Sequence, residues 1–420
     1  MKEYFDKIRV YNFWDEKTPE LGYYRADYTD KIYSYVGNRL IKVLVGQRRT
    51  GKSFILRQLL NKLIESGINR NNTLYINKEY TDFDFLKTYQ DLDDFVKFYK
   101  HNLNISSKIY LFIDEIQNIE QWERFVNSYS QNYVEAYEIF ISGSNSNMLS
   151  GELSTLLSGR YIEFEIFPFS FTEYCGILHK EYSKQNFITY MESGGLPELF
   201  HLPNDETKRN YISAVKDTVF LRDIIQRYKI KDPKLLEDIF VFLVNNAANL
   251  VSITSMVKYF KGLQRNTTYD TIATYIGYLE DAFLLHKSER YDIRGKETIA
   301  GNAKYYINDM AYKNYIYIGF GHGIGYKLEN LVYLSLKRAG YQIYTGIIRG
   351  KEVDFVALKN DRVLYVQATY LLLDETIVSR EYTPLELIPD NYEKIVISLD
   401  DFIFPQKEGI KHQQIWNFRP

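Results

Sequence analysis

An eight-residue segment with two glycines, Gly46–Ser53, lies between an apolar run at 40–45 and a stretch with helical spacing at 54–60. A strand, a glycine loop and a helix in this order are typical of a phosphate-binding P-loop. The glycines allow a tight turn whose backbone N–H groups point inward, and the positive end of the following helix adds to the attraction for phosphate. The segment therefore predicts an α/β unit with a phosphate site where its first strand ends.

The loop residues that we expect to contact the nucleotide are Gly46, Gln47, Arg48, Arg49, Thr50, Gly51, Lys52 and Ser53. Lys52 is the cation that reaches the outer phosphates, and Ser53 supplies a hydroxyl ligand for Mg²⁺. We interpret Arg48 and Arg49 as phosphate-facing or solvated side chains and assign them no catalytic role.

A second apolar run, at 109–113, ends in Asp114 and Glu115. Magnesium keeps most of its water, so Ser53 and Asp114 suffice as its protein ligands. Glu115 is then free to polarise an attacking water, a task that needs a carboxylate beside the metal rather than on it. The loop and this acidic strand end together predict a nucleoside triphosphate such as ATP, with Mg²⁺, as the ligand. Hydrolysis is a separate question, because binding and turnover use different residues.

Composition limits the fold class and the partners. With 420 residues the chain is long enough for two or three domains. Its 52 Lys and Arg residues and 54 Asp and Glu residues give a net charge of −2, so no global basic field indicates a nucleic-acid partner. One cysteine, Cys175, excludes an internal disulfide framework and fits a reducing cytoplasm. The charged start predicts no signal peptide, and the polar residues within the uncharged stretch 239–257 argue against a membrane span.

Three regions follow one another along the chain. Alternating apolar runs and amphipathic stretches in 1–203 predict a parallel α/β sheet. Region 204–308 shows helical spacing and then a hairpin around Gly295, the outline of a winged helix, and region 309–420 shows a second α/β pattern. The strands that we expect in the first region are 40–45, 73–77, 109–113, 138–142 and 161–166.

The expected hairpin carries the best basic cluster for a DNA contact, which consists of Arg290, Arg294, Lys296 and Lys304. No Lys or Arg lies between Arg265 and Lys287, however, and this argues against DNA reading by the expected second helix. The alternative, which we prefer, is a module that packs on the ATPase or on another subunit.

The chain as a whole resembles a family of prokaryotic AAA-superfamily ATPases that join a P-loop domain to a winged helix and a C-terminal nuclease-like domain. The resemblance implies a sheet in which the acidic strand is not adjacent to the P-loop strand. It also implies that Asn145 is the polar sensor holding the attacking water, and that Arg160 is a finger presented to a neighbouring subunit's nucleotide. Beyond the P-loop, the matching motifs lie at 112–117, 141–145, 157–161, 167–173, 194–197 and 351–355.

The C-terminal region resembles the restriction-endonuclease-like fold (PD-(D/E)xK type), whose active site combines an acid on a helix, an Asp and a Glu-x-Lys pair. Glu329 and Asp354 match the first two positions, but Gln367 and Thr369 replace the Glu and the Lys. These changes remove a metal ligand and the group that stabilises the attacking water, and nothing replaces the ammonium. We therefore expect an inactive domain in which Glu329 and Asp354 are structural, for example paired with Lys351.

Three functions remain open at this point: an ATPase that couples hydrolysis to rearrangement of the C-terminal modules, a nucleotide-gated switch with little turnover, and an ATP-dependent nuclease. The Asp114–Glu115 pair with Asn145 favours the first, and Gln367 with Thr369 argues against the third. A homo-oligomer and a protein partner are both compatible with the sequence.

Overall fold

A computed structural model describes residues 1–15, 18–146, 157, 159–317 and 325–420. Ser158, within one of the motifs named above, lies outside the described residues. The chain divides into two compact units, Met1–Ile166 and Phe167–Pro420. The domain boundaries expected at 203/204 and 308/309 stay predictions.

The first unit is built on a parallel sheet, and each expected strand is present with ends that shift by no more than one residue. Its strands are β1 (Ile41–Val45), β2 (Thr73–Asn77), β3 (Ile109–Asp114), β4 (Tyr137–Gly143) and β5 (Tyr161–Glu165). Their order in the sheet is β2-β3-β4-β1-β5, and all neighbours run parallel. Strand β4 thus separates the acidic strand β3 from the P-loop strand β1, as the resemblance implies.

Helices cover this sheet and bury strands β1, β2 and β3 along their whole length. They are α1 (Lys2–Ile8), α2 (Ala26–Tyr33), α3 (Lys52–Glu65), α4 (Tyr89–Asn102) and α5 (Trp122–Ser130). The apolar face of α3, which includes Ile55, Leu59 and Leu63, is buried in one core with Leu44 and Phe112 of the sheet. This packing fixes the start of α3 close to the end of β1.

The second unit contains an eight-stranded mixed sheet. Its strands are β6 (Leu250–Val251), β7 (Leu285–Asp292), β8 (Glu297–Ile307), β9 (Gln342–Ile348), β10 (Lys351–Lys359), β11 (Arg362–Ala368), β12 (Glu393–Ser398) and β13 (Ile410–Gln414). Their order is β13-β12-β11-β10-β9-β7-β8-β6. The expected hairpin is β7 and β8, and β7 pairs in parallel with β9. Strands of the regions 204–308 and 309–420 therefore share one sheet.

The helices of the second unit are α6 (Phe171–Ile177), α7 (Lys184–Ser193), α8 (Asp205–Thr218), α9 (Gln226–Tyr228), α10 (Pro233–Asn245), α11 (Ile253–Gly262), α12 (Tyr269–Asp281), α13 (Gly325–Arg338) and α14 (Glu375–Glu386). A π-helical segment, Val219–Ile225, joins α8 to α9. Thr268 caps α12, because its hydroxyl accepts the N–H of Thr271 at 3.2 Å. Among the described residues, no helix combines the length and the apolar character that crossing a membrane requires.

Candidate functional site

The P-loop connects the carboxyl end of β1 to the amino end of α3. Gly46 has φ 142°, and a Cβ at this position would lie 2.3 Å from the carbonyl oxygen of Ile166. Gly51, which caps α3, has φ 93° in the left-handed region. Larger residues are disfavoured at both positions, at Gly46 by the contact and at both by the positive φ.

The loop is held by side chains within it and beside it. Buried Lys52 donates its ammonium to the carbonyl oxygens of Gly46 at 2.8 Å and Gln47 at 3.0 Å, and the Thr50 hydroxyl donates to Gln47 O at 2.9 Å. Arg25, at the start of α2, is 2% exposed and donates to Thr50 O at 2.8 Å. The loop conformation is therefore supported from two sides, and Lys52 lies inside it.

Asp114 ends β3, is fully buried and has a fixed orientation. Its Oδ2 accepts the Tyr75 hydroxyl at 3.0 Å and the Asn77 amide at 3.1 Å, and its Oδ1 accepts the Ser142 hydroxyl. The backbone N–H of Glu115 donates to Ser142 Oγ at 3.1 Å. Uncharged donors from β2 and β4 thus orient this carboxylate. Ser53, the other residue assigned to the metal, lies in the first turn of α3.

Glu115 follows Asp114 in a left-handed conformation with φ 54°, and its side chain is 8% exposed. Its Oε2 accepts the Gln117 amide, and Arg48 Nη2 lies 3.9 Å from the same oxygen. Burial raises the pKa of Glu115, while Lys52 and Arg48 oppose that rise. A buried carboxylate with a raised pKa suits proton acceptance.

The two loop arginines differ. Arg48 Nη1 contacts Glu79 Oε1 at 2.5 Å, and only 12% of its side chain is exposed, so this residue is not a solvated side chain. Arg49 is exposed and has φ 68°. The P-loop therefore presents one of its arginines to the carboxylate that follows Asp114.

Asn145 and Arg160 lie at different ends of the sheet. Asn145 is fully buried two residues after β4 ends. The carbonyl oxygen of Arg160 accepts the N–H of Ile41, the first residue of β1, and its guanidinium approaches Asn127 Oδ1 at 3.5 Å. Asn145 thus lies at the carboxyl ends of the strands, where the P-loop begins. Arg160 lies at their amino ends, beside the start of β1.

A second polar cluster lies in the second unit. It shows that two expectations from the sequence are wrong: the pairing of the acidic residues with Lys351, and the lack of an ammonium beside them. Glu329 and Asp354 pair with Lys304, at 2.9 and 3.7 Å, and not with Lys351. The ammonium that the C-terminal sequence lacks is therefore present, supplied by β8. Burial lowers the pKa of Lys304, but the attraction of Glu329, Asp354 and Glu352 outweighs burial and raises it overall.

The expected basic cluster on the hairpin is also divided. Arg294 and Lys296 are exposed at the hairpin turn and Arg290 is partly buried, but Lys304 is only 3% exposed and is surrounded by carboxylates. The prediction that Lys304 contacts DNA is therefore wrong, because carboxylates already compensate its charge and its side chain is not accessible to a DNA phosphate. Of the other two nuclease-like positions, Gln367 accepts the N–H of Asp354 at 3.1 Å, and Thr369 is buried.

Several residues of these sites were not predicted from the sequence. Asn77 and Ser142 lie at or next to the carboxyl ends of parallel strands beside β3, and that position was a usable signal. Gln117, two residues after Glu115, carried a weaker signal. No local pattern pointed to Arg25 or Lys304, since each meets its partners only through tertiary packing.

Comparison with known proteins identifies two matching domain families and two relatives that align with most of the chain. A family described as "AAA domain" matches residues 38–175, and a domain of unknown function matches 184–320. An uncharacterised Haemophilus influenzae protein is 36% identical over 394 residues, which cover 92% of this chain and 96% of that protein. An uncharacterised Methanocaldococcus jannaschii protein is 30% identical over 86% of this chain and 82% of its own length.

Solved structures give lower similarity. A Walker-type ATPase of Pyrococcus abyssi matches with a TM-score of 0.43 and 14% identity over 71% of this chain and 97% of that chain. DnaA of Aquifex aeolicus, solved with AMPPCP, matches with a TM-score of 0.31 and 15% identity over 60% of this chain and 85% of that chain.

Proposed function

Because this chain belongs to the same family as the Haemophilus influenzae protein and carries an AAA domain of the P-loop ATPase superfamily, we propose that it hydrolyses ATP to ADP and phosphate with Mg²⁺. The observation that carries the proposal is the meeting of three features at one edge of a parallel sheet. The P-loop follows β1, Asn145 follows β4, and Asp114 with Glu115 ends β3. These strands are consecutive in the sheet, and ligands of open α/β sheets bind at their carboxyl ends.

The P-loop residues fit the phosphates of a nucleotide. Glycine at position 46 lets the loop begin in close contact with the backbone of Ile166, where a side chain would not fit. The amino end of α3 faces the loop and favours negative charge. We assign phosphate binding to the segment Gly46–Ser53, with Lys52 as its cation.

Ser53 and Asp114 fit a magnesium ion, because they supply a hydroxyl and a charged carboxylate, both hard oxygen ligands. The hydrogen bonds from Tyr75, Asn77 and Ser142 hold Asp114 in one orientation. A bound Mg²⁺ would neutralise charge on the phosphates during transfer. The burial of Asp114 excludes bulk water from that side of the site.

Glu115 is the residue that we assign to proton acceptance from the attacking water, with Asn145 as a second residue that holds this water. The contacts of Glu115 with Gln117 and Arg48 support a defined orientation of its carboxylate. Arg160 is assigned as a finger for the nucleotide of a neighbouring subunit.

The other regions are proposed to respond to the nucleotide state. For 204–308 we propose a winged-helix-like domain, supported by the order β6, α11, α12, β7 and β8. For 309–420 we propose a restriction-endonuclease-like domain that is inactive because Gln367 replaces a metal-binding carboxylate and its oxygen is engaged with the N–H of Asp354. A DNA contact through the hairpin would rest on the exposed Arg294 and Lys296, with Arg290 beside them.

Two substitutions test binding and hydrolysis separately. Lys52→Ala is expected to abolish binding of labelled ATP, while Lys31→Ala, an exposed lysine on α2, leaves it unchanged. Glu115→Gln is expected to bind ATP but to release phosphate about 10²–10⁴-fold more slowly, because a general base contributes that much. The exposed Glu120→Gln is its control.

Tight ATP binding by Lys52→Ala protein would contradict the P-loop assignment. Wild-type protein that binds ATP with Mg²⁺ and releases no phosphate would instead identify a nucleotide-gated switch. Turnover that Glu115→Gln leaves unchanged would assign the base to another residue.

A further inference from the structure

Lys304 of β8 lies among three carboxylates that come from two other elements. Its ammonium is 2.9 Å from Glu329 Oε1 on α13, 2.7 Å from Glu352 Oε1 and 3.7 Å from Asp354 Oδ1, both on β10. The lysine side chain is 4% exposed, although the cavity of about 790 Å³ that Glu329, Glu352 and Asp354 line is open to solvent. A buried lysine with three acidic neighbours is a fully compensated internal charge.

Three oxygen atoms of this cluster also accept hydrogen bonds from other protein groups. Oδ2 of Asp354 accepts the N–H of Ala368 at 2.8 Å, and Gln367 Oε1 accepts the N–H of Asp354 at 3.1 Å. Glu329 Oε1, which faces Lys304, also accepts the Tyr306 hydroxyl at 2.8 Å. The carboxamide oxygen of Gln367 is thus engaged with the backbone.

Oxygen atoms of this kind are the ligands that hard divalent cations prefer. A nuclease-like fold implies such an ion here, but these residues do not fit one, because an ammonium already occupies the middle of the carboxylates. Within the described part of the chain, no group of three or more His, Cys, Asp and Glu side chains is placed to hold a metal ion.

We infer that Lys304 is a built-in cation that stands where a divalent metal ion would otherwise bind among Glu329, Glu352 and Asp354. Lys304 is thus a counter-ion that the chain itself supplies to these side chains, of which Asp354 is buried and Glu352 is 39% exposed. The cluster joins β8, α13 and β10 without an exogenous ligand. Removal of the ammonium would leave these side chains without their counter-ion and free the position between them for a divalent cation.

The test compares Lys304→Met with Lys351→Met, which changes an exposed lysine at the same cavity. Nucleotide-free full-length proteins are titrated with Mn²⁺, and bound Mn²⁺ is counted by electron paramagnetic resonance while Tm is recorded. Lys304→Met is expected to lower Tm and to bind one Mn²⁺ more than wild type. Mn²⁺ at about 100 times its dissociation constant should then raise Tm by roughly 5–10 °C.

Wild type and Lys351→Met should lack this extra ion and this shift, and Asp354→Asn added to Lys304→Met should abolish both. Two results overturn the inference. One is a Lys304→Met protein that folds and does not respond to Mn²⁺. The other is that wild type binds a Mn²⁺ ion and the Asp354→Asn variant does not. This comparison can be made whether or not the Lys304→Met protein folds. ATP binding plays no part in either readout.

Discussion

The carboxylate of Glu115 is contacted by Gln117 and by Arg48, which belong to two different segments of the chain. Gln117 donates its amide to Glu115 Oε2, while its own carbonyl oxygen is buried without a hydrogen-bond partner. An unpaired buried acceptor costs about 1–3 kcal/mol. The amide of Gln117 also donates to Ser144 Oγ at 3.5 Å, so Glu115 and Ser144 together hold this side chain.

Gln117→Ala removes the amide that orients Glu115. Because a small displacement of a catalytic group can cost about 10²-fold in rate, kcat is expected to fall roughly 10–100-fold while KM for ATP changes little. Steady-state phosphate release over a range of ATP concentrations separates the two constants. Asn118→Ala, an exposed neighbour, is the control. An unchanged kcat in Gln117→Ala would show that Glu115 does not depend on this contact.

At the scale of elements, the strands of the first unit were predictable because buried parallel strands are continuous apolar runs. The expected strand 73–77 matches β2 residue for residue. The pairing of β7 with β9 was not predictable, since Arg290 and Thr345 meet across more than fifty intervening residues. Periodicity reports which face of a strand is buried but not which distant strand covers it.

The wrong prediction that Lys304 contacts DNA has the same cause, because local sequence does not report which distant elements cover a side chain. In the local sequence it is one basic residue among several on a hairpin, and a hairpin of that composition suggests an exposed surface. Its burial depends on Glu329 and Asp354, which come from elements that follow in the chain. The replacement of Glu-x-Lys by Gln367 and Thr369 was visible in the sequence, but the compensating ammonium was not.

The hairpin also makes stability depend on pH through His286 on β7. Burial lowers the pKa of this histidine from 6.5 to about 4, although its hydrogen bond with Asn308 opposes the change. The unfolded chain takes up the proton near pH 6.5 and the folded chain only near pH 4. The stability that neutral His286 contributes is therefore complete above about pH 6.5 and is lost as the pH falls toward 4.

His286→Gln keeps an amide that can donate to Asn308 but does not titrate. Between pH 7 and pH 5, wild type is expected to lose about 2 kcal/mol more free energy of unfolding than this variant. Urea unfolding at several pH values measures the difference. The exposed His101→Gln should keep the pH dependence of wild type. Identical slopes for wild type and His286→Gln would contradict the burial argument.

At the scale of the whole molecule, the position of Arg160 bears on assembly. Its backbone pairs with Ile41 at the start of β1, whereas the P-loop follows Val45 at the other end. Five residues of strand span about 16 Å, more than an arginine side chain reaches. If Arg160 assists hydrolysis, the nucleotide that it meets belongs to another copy of the chain, so the active form is a homo-oligomer.

Complementation between two inactive variants tests this geometry. Arg160→Ala is expected to bind ATP but to lose roughly 10³–10⁵-fold in turnover, and Lys52→Ala loses ATP binding while it retains Arg160. In a randomly mixed oligomer, an intact P-loop lies beside an intact Arg160 at about one quarter of the interfaces, so an equal mixture should regain about a quarter of wild-type turnover. Turnover and oligomeric state are measured on the same samples, with Arg39→Ala, an exposed arginine just before β1, as the control. Full activity of monomeric Arg160→Ala protein would contradict action on a neighbouring subunit, and an inactive mixture of stable hetero-oligomers would contradict it independently.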